Sequence, residues 1–499
     1  MISKALTLDK LINNFAVRGS NIAVVYNYES ICYIELHRRI TTLACLIDSF
    51  QTSGEVTKCA IIASNSTQWV ITYLAIVYSG RIAVLLDPKE NVFLLKSKLE
   101  YSDCHMAFYD NSCEVKKLKQ ELKMINCWVC LEKDISSFDL QVSELMNSKR
   151  ALYENEICTI MFSSGTLNVP KAVSLSHKNI MTVVNNIDDN ITLGKKLLLV
   201  LPMHHCFGCF LGVLGTLNRG GVLYISKGPI DLYDEIMRYK ADTLLLVPAL
   251  VRYLYNILNK KNIKICNTTN GSYVKLSLRY LIVGGASLHT KYISEFEKLG
   301  ITIYVGYGMT ESSSLITVNN RRYNKIGSVG KHTTFCEMKV DSKTGEILIR
   351  GDNIISEYYK NSKATYENFE NMWLKTGDLG YIDNEGYLYI TGRLNNLCVL
   401  DNGEKVCLEE LEEYLQCIDL IDECLVEKGV TGTGKVIFKA KIWLGYENNT
   451  KENQSIVEKR VKSLNENLVD YKKIKIFEFF SFPLEKTNTG KLKRKKMEV

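Results

Sequence analysis

Apolar runs alternate with amphipathic stretches through the first half of the chain. "KCAIIASN" (58–65) predicts a buried strand, "STQWVITYLAIVYSG" (66–80) a helix, and "RIAVLLDP" (81–88) a second buried strand. The same order returns in "ADTLLLVPALVRYLYNILNK" (241–260) and "LRYLIVGGASLHTKYISEFEKLG" (278–300). Strands without polar alternation, separated by helices, predict parallel sheets covered on both faces. From about residue 320 the period shortens. "TGEILIRG" (344–351) and "LGYIDNEGYLYITGR" (379–393) are alternating strands, the second turning at "DNEG". After Gly392 the pattern mixes helix and strand: "LEELEEYLQ", "VIFKAKIWL", "SIVEKRVKSLNENL" and "IKIFEFF". That suffices for a small α+β domain of about a hundred residues. The expected architecture is α/β: a large N-terminal domain of parallel sheets with flanking helices, a small β-barrel-like part, and a small C-terminal domain. The boundary is expected at Arg393–Asn396.

One apolar stretch, "LLLVLPMHHCFGCFLGVLGTL" (197–217), is long enough to span a bilayer. Pro202, His204, His205, Gly208, Gly212 and Gly215 interrupt it, so a strand, a loop and a core helix explain it better than a membrane span. The N-terminal "MISKALTLDKLINNF" lacks the long apolar core of a signal peptide. The 16 cysteines fall at irregular spacing, which favours free thiols in a reducing, cytoplasmic setting over a disulfide framework. The net charge of +7 is a mild excess spread along the chain and does not indicate nucleic acid. "HHCFGC" (204–209) and "CWVC" (127–130) suggest a metal, but they lie much further apart than the roughly twenty residues between the pairs of a zinc ribbon.

The chemistry starts at "SSGTLNVPKAVSLSH" (163–177), which follows the strand "ICTIMF". A triphosphatase loop requires G-x-x-x-x-G-K-[ST]. Here Pro170 precedes Lys171 and Ala172 follows it, so that pattern fails. Hydroxyls at Ser163, Ser164 and Thr166 beside Gly165, with the charge of Lys171, can still wrap a polyphosphate. Alone, the same residues read equally well as a polar loop.

Four further stretches follow in order: "YVGYGMTESSS" (304–314), "WLKTGDLGYIDNEGYLYITGR" (373–393), "DNGEKVCLEELE" (401–412) and "PLEKTNTGKLKRKKM" (483–497). With the opening loop, they resemble the adenylate-forming (AMP-binding) superfamily, in particular acyl-CoA synthetases and acyl- or aryl-acid ligases. The resemblance covers nearly the whole chain, including "SNSTQWVITYLAIVYSGRIAVLLDP" (64–88). It implies ATP-dependent activation of a carboxylic acid to an acyl-adenylate, release of pyrophosphate, and transfer to a phosphopantetheine thiol. The attack on the α-phosphorus gathers negative charge on phosphate oxygens, so cations and donors must be placed in advance.

On this resemblance, Ser163, Ser164, Gly165, Thr166 and Lys171 hold the β- and γ-phosphates. Thr310 bonds the α-phosphate, and Glu311 ligates Mg²⁺, a hard cation suited to carboxylate oxygen. Tyr307 and Gly308 lie at the adenine, with Gly284, Gly285 and Ala286 lining its pocket. Asp378 accepts from both ribose hydroxyls, Arg393 reaches the ribose or α-phosphate, and Lys491 bridges the carboxylate and the α-phosphate. His205 gates the carboxylate end of the acyl pocket, with His204, Phe207 and Phe210 lining or backing it; an aromatic core role competes for Phe210. Residues 1–392 would be the adenylation domain, 393–396 a hinge, and 397–499 a mobile C-terminal domain presenting either Lys491 or the loop with Gly403.

The opening loop departs from the family pattern at Leu167, Asn168 and Ala172; Leu408 replaces a frequent proline, and Asn395 and Asn396 stand where charges are frequent. An alternative is therefore a weakened homologue that serves as a binding or scaffold partner in an assembly line. Lys493 to Lys496 read as a solvated basic tail or as an attractor for an acidic carrier protein or the phosphates of coenzyme A. "PMHHCFGCFLG" offers no carboxylate to pair a substrate ammonium, so a small-molecule acid without an α-amino group is expected. Fatty, other acyl and aryl acids stay open, as do coenzyme A and an acyl or peptidyl carrier protein as acceptor.

Overall fold

A helix that is apolar on every side organises the N-terminal part. Trp69 through Val77 of the helix Thr67–Tyr78 are all buried, and Ser66 caps its start by accepting from Trp69 N at 3.1 Å. Such a helix needs apolar partners all round. It packs on Lys58–Ile62 and Ile82–Leu86 of one sheet and on Ile22–Tyr26 of another. The computed structural model describes residues 4–49, 57–111, 115–132, 151–163, 171–261, 276–400, 404–430, 436–486 and 492–494.

The first sheet has six strands in the order Cys127–Cys130, Cys104–Tyr109, Lys58–Ile62, Ile82–Leu86, Ile157–Phe162, Ala172–Ser176. All neighbours are parallel except the last pair, a hairpin whose register sets Phe162 opposite Ala172. The second sheet has nine strands. Its parallel centre runs Thr302–Tyr307, Tyr280–Val283, Thr243–Leu246, Lys196–Leu199, Val222–Ile225, Ile22–Tyr26, with antiparallel strands at both edges. One apolar core joins both sheets. Loops leaving the carboxyl ends of parallel strands are where such sheets bind ligands. The stretches after Phe162, Leu199, Val283 and Tyr307 all leave at that end.

The shorter period after residue 320 corresponds to a five-stranded antiparallel sheet built around the long strand Trp373–Ile382. Its hairpin to Leu388–Arg393 turns at Asp383, whose carboxylate accepts from Glu385 N (3.0 Å) and Tyr387 N (2.9 Å). Beyond it, Glu423–Val430, Val436–Trp443 and Ile474–Phe479 form a three-stranded sheet. This sheet and the helix Leu408–Gln416 enclose an apolar cluster whose buried residues all lie between Cys398 and Ile474. Ion pairs join this part to two helices of the second sheet: Lys291 with Asp419 at 2.6 Å and Arg252 with Asp422 at 3.2 Å.

The stretch 197–217 forms a strand, a loop and then a π-helix at Phe207–Leu214, continued by Gly215–Asn218. Its glycines allow close contacts. A methyl group on Gly208 would lie 2.3 Å from Pro202 O, and one on Gly212 2.8 Å from Leu199. Among the described residues no helix is long and apolar enough to cross a membrane.

The basic tail needs one correction. Arg494 is not solvated: its guanidinium bonds Glu412 Oε2 at 2.6 Å and Val426 O at 2.8 Å. Glu412 is buried on the helix Leu408–Gln416 and also accepts from Val426 N at 2.7 Å, so its charge requires a nearby cation. Lys493 is exposed, and Lys495 and Lys496 lie outside the described residues. Burial pushes the Glu412 carboxyl up from 4.5 to about 7, against the pull of Arg494. Between these values the folded chain holds a proton that the unfolded chain has released. The group's stabilisation is thus full below about 4.5 and is lost as pH rises through about 7. Glu412→Gln removes this titration. Its melting temperature relative to the native protein should rise across that pH window, as read by calorimetry.

Candidate active site

The opening loop is anchored at both ends. Ser163 N donates to Lys171 O at 2.9 Å, closing the hairpin between Ile157–Phe162 and Ala172–Ser176. Ser164, Gly165 and Thr166, with Leu167 and Asn168, lie outside the described residues. Lys171 is held from two sides: its Nζ donates to Asn368 Oδ1 at 3.3 Å and sits 4.9 Å from the ring centre of Tyr358. Tyr358 is itself buried and donates its hydroxyl to Glu311 Oε1 at 3.1 Å.

Glu311 lies in the short 3₁₀ turn Thr310–Ser312 just beyond the strand Thr302–Tyr307. The following residues reverse sharply, with Ser313 and Ser314 both at positive φ. Gly308 is required there, because a methyl group on it would fall 1.9 Å from Ser314 O. Asn353, fully buried, clamps the turn by donating to Ser312 O (3.1 Å) and Leu315 O (2.7 Å), while its own carbonyl accepts from Ser313 Oγ (2.9 Å). Burial raises the Glu311 carboxyl above its ordinary range, and the Tyr358 hydroxyl, Lys171 and Arg393 only partly offset this. A buried carboxylate whose bonded partner is a neutral phenol has room for a cation. Among the described residues no three acidic, histidine or cysteine side chains cluster as a metal cage. One carboxylate plus ligand phosphates is the donor set that suits Mg²⁺.

Thr310 Oγ1 accepts from Cys206 Sγ at 3.9 Å, which brings the loop of His204 and His205 against the same turn. The two imidazoles stand 4.4 Å apart, and burial keeps His204 neutral, its pKa well below 6.5. Asn65 fixes the approach to this loop: it donates to Leu201 O and accepts from Met203 N, both at 2.8 Å. Gly284 ends the strand Tyr280–Val283, where a methyl group would lie 3.6 Å from the Phe207 ring and 3.4 Å from Gly306 O. Gly285 follows with φ +87, a backbone geometry suited to glycine, and Ala286 comes next. Phe210 is fully buried in the core joining both sheets, the core role that competed for it.

Asp378 is buried and pairs in register with Arg393 across the hairpin. Each of its oxygens has a protein donor: Arg393 Nε to Oδ1 at 2.7 Å and Tyr307 OH to Oδ2 at 2.6 Å. Each carboxylate oxygen offers two lone pairs, so acceptor capacity remains. Lys491 and Gly403 lie outside the described residues. Contacts thus run from Lys171 through Tyr358 to Glu311 and Thr310, on to Cys206, and from Phe207 to Gly284. Tyr307, just before Gly308 on the same strand end, ties in Asp378 and Arg393. Tyr358, Asn353 and Asn368 lie outside the quoted motifs and are recognised from their contacts; Asn65 lies within the 64–88 stretch, but its role emerges only from its contacts.

The sequence profile of AMP-binding enzymes matches residues 13–359. The 2-succinylbenzoate–CoA ligase of Oceanobacillus iheyensis is 28% identical over 411 residues, covering 80% of this chain and 81% of that protein. The o-succinylbenzoate coenzyme A synthetase of Bacillus subtilis, solved with ATP and a magnesium ion, superposes with a TM-score of 0.81 at 23% identity, over 97% of this chain and 98% of that one. An anthranilate–CoA ligase solved with anthranoyl-AMP gives 0.86 at 19% identity, over 98% and 95%.

Asn353→Ala removes the donor to Leu315 O and leaves Ser312 O only the longer bond from Leu315 N at 3.3 Å. It should lower unfolding stability by roughly 2 kcal/mol or more in denaturant titrations.

Proposed function

The chain belongs to the AMP-binding enzyme family, and from that premise we propose that it is an AMP-forming acid–thiol ligase. It activates an aryl carboxylic acid of the 2-succinylbenzoate type and passes the acyl group to coenzyme A. The observation that carries this reading is the convergence of Lys171, Glu311 and Thr310, at the carboxyl ends of the parallel strands of two sheets, with Asp378 and Arg393 from the antiparallel sheet, linked through Tyr358 and Tyr307. The substrate and the acceptor come from the relatives, which are named as 2-succinylbenzoate–CoA ligases. Those names give no support to a carrier protein as acceptor. The absence of an acidic residue from "PMHHCFGCFLG" agrees with an acid that carries no ammonium.

In this reading a substrate carboxylate oxygen attacks the α-phosphorus of ATP. The bond from that phosphorus to the bridging oxygen breaks, and pyrophosphate leaves. The coenzyme A sulfur, having given up its proton, then attacks the acyl carbon, and AMP departs. Lys171, with Ser163, Ser164, Gly165 and Thr166, holds the leaving phosphates. Glu311 and the phosphates hold Mg²⁺, which supplies charge neutralisation at the transferring centre. Thr310 donates to the α-phosphate. Tyr307 and Arg393 orient Asp378 for the ribose hydroxyls, and Gly284 to Ala286 with Gly308 leave space for the adenine. Lys491 brings a point charge to the carboxylate and α-phosphate together. His205 closes the acyl end.

Residues 393–396 serve as the hinge between the 1–392 and 397–499 parts. The short turn Leu394–Asn396 supports this, as does the separate apolar cluster beyond it. Two anchors flank that turn: Arg393 on Asp378 and Asn396 on Glu409.

Exchange of labelled pyrophosphate into ATP, with 2-succinylbenzoate, a simple aryl acid and a fatty acid in parallel, tests the reading. The expected result is exchange strongest with 2-succinylbenzoate and reduced about a hundredfold or more in Lys491→Ala. If no acid supports exchange and the variant is no worse, the ligase reading fails.

A further inference from the structure

We propose that Tyr358 is a positioning residue that sets Glu311 for the metal and Lys171 for the leaving phosphates with one side chain, and that Asn368 completes the hold on Lys171. The inference rests on the ligase reading and assigns a role that none of the sequence motifs carries. Two separate parts of Tyr358 do the two jobs. Its hydroxyl donates to Glu311 Oε1 at 3.1 Å, and its ring faces Lys171 Nζ at 4.9 Å. The ring attracts the ammonium electrostatically, and the phenol proton fixes one carboxylate oxygen and leaves the other to a cation.

The surroundings leave Tyr358 little freedom. Its side chain is buried, and its backbone bridges Val173 in the strand that follows Lys171. Tyr358 N donates to Thr365 Oγ1 at 3.0 Å, and Tyr359 N to Ala172 O at 2.9 Å. Thr365 and Asn368 sit on the helix Ser362–Asn368, which Asn361 caps by accepting from Ala364 N. Asn368 Nδ2 bonds Ala364 O at 2.7 Å, which turns its Oδ1 toward Lys171 at 3.3 Å. The segment Ile355–Asn368 is also tied to the metal side, since Ile355 N donates to Glu311 O at 3.0 Å. One segment therefore touches both the carboxylate and the ammonium that, on the ligase reading, serve the same polyphosphate.

ATP binding measured by calorimetry without any acid substrate, at a series of Mg²⁺ concentrations, separates the two jobs. Tyr358→Phe keeps the ring and loses the hydroxyl. It should weaken ATP binding about tenfold at limiting Mg²⁺, recover at saturating Mg²⁺, and match the native protein without the metal. Asn368→Ala loses the hold on Lys171, along with the bond to Ala364 O within its own helix, and should weaken ATP binding several-fold at every Mg²⁺ concentration. Melting temperatures identify any variant that has lost its fold, and the two variants fail independently. Native-like binding by both variants, or equal losses by Tyr358→Phe with and without Mg²⁺, overturns the proposal while the ligase reading stands. If the native protein binds no ATP with Mg²⁺ present, both fall.

Discussion

A carboxylate taken out of water must be given a counter-charge, and Glu311 is that carboxylate. It is buried, its bonded partner is a neutral phenol, and burial holds its proton more tightly than usual. Much of the local architecture serves to hold it there. Gly308 has no room for a side chain, Ser313 and Ser314 adopt positive φ, and Asn353 spends both amide protons on the carbonyls of the turn. Strain and buried polar groups of this kind persist only where surrounding structure fixes them, and they gather at functional sites. A ligand that brings a cation together with phosphate oxygens satisfies the carboxylate and gains from its preset position.

The second constraint is topological. Two sheets share one core around the helix Thr67–Tyr78, so their carboxyl ends open near each other. The hairpin of Ser163 and Lys171 comes from one sheet; the loops of His205, Gly284 and Glu311 come from the other. The antiparallel sheet then contributes Asp378 and Arg393, paired across its hairpin. No single element carries the site, which explains why its residues are scattered along the chain.

The alternation of apolar strands and helices was legible because burial on both faces leaves a continuous apolar run, as in Lys58–Ile62 and Ile82–Leu86. The helix Thr67–Tyr78 was legible as the amphipathic-to-apolar stretch between those two strands. The motif residues were legible as a set, because their order along the chain carries more information than any one of them. The π-helix at Phe207–Leu214 was not, since glycines and apolar residues look alike in either helical period. Tyr358 and Asn353 were hidden for another reason. A lone Tyr or Asn has no period, and its role exists only when distant segments meet. The partnership of Arg494 with Glu412 was hidden in the same way, because the basic neighbours of Arg494 suggest solvent.

The central claim is that a carboxylate oxygen of the substrate becomes bonded to the α-phosphorus. Isotope tracing tests that bond directly. With 2-succinylbenzoate labelled with ¹⁸O in its carboxyl groups, together with ATP, Mg²⁺ and coenzyme A, mass spectrometry of the products should find one ¹⁸O in AMP and none in pyrophosphate. Label in pyrophosphate or orthophosphate, or thioester formed with unlabelled AMP, would contradict the account.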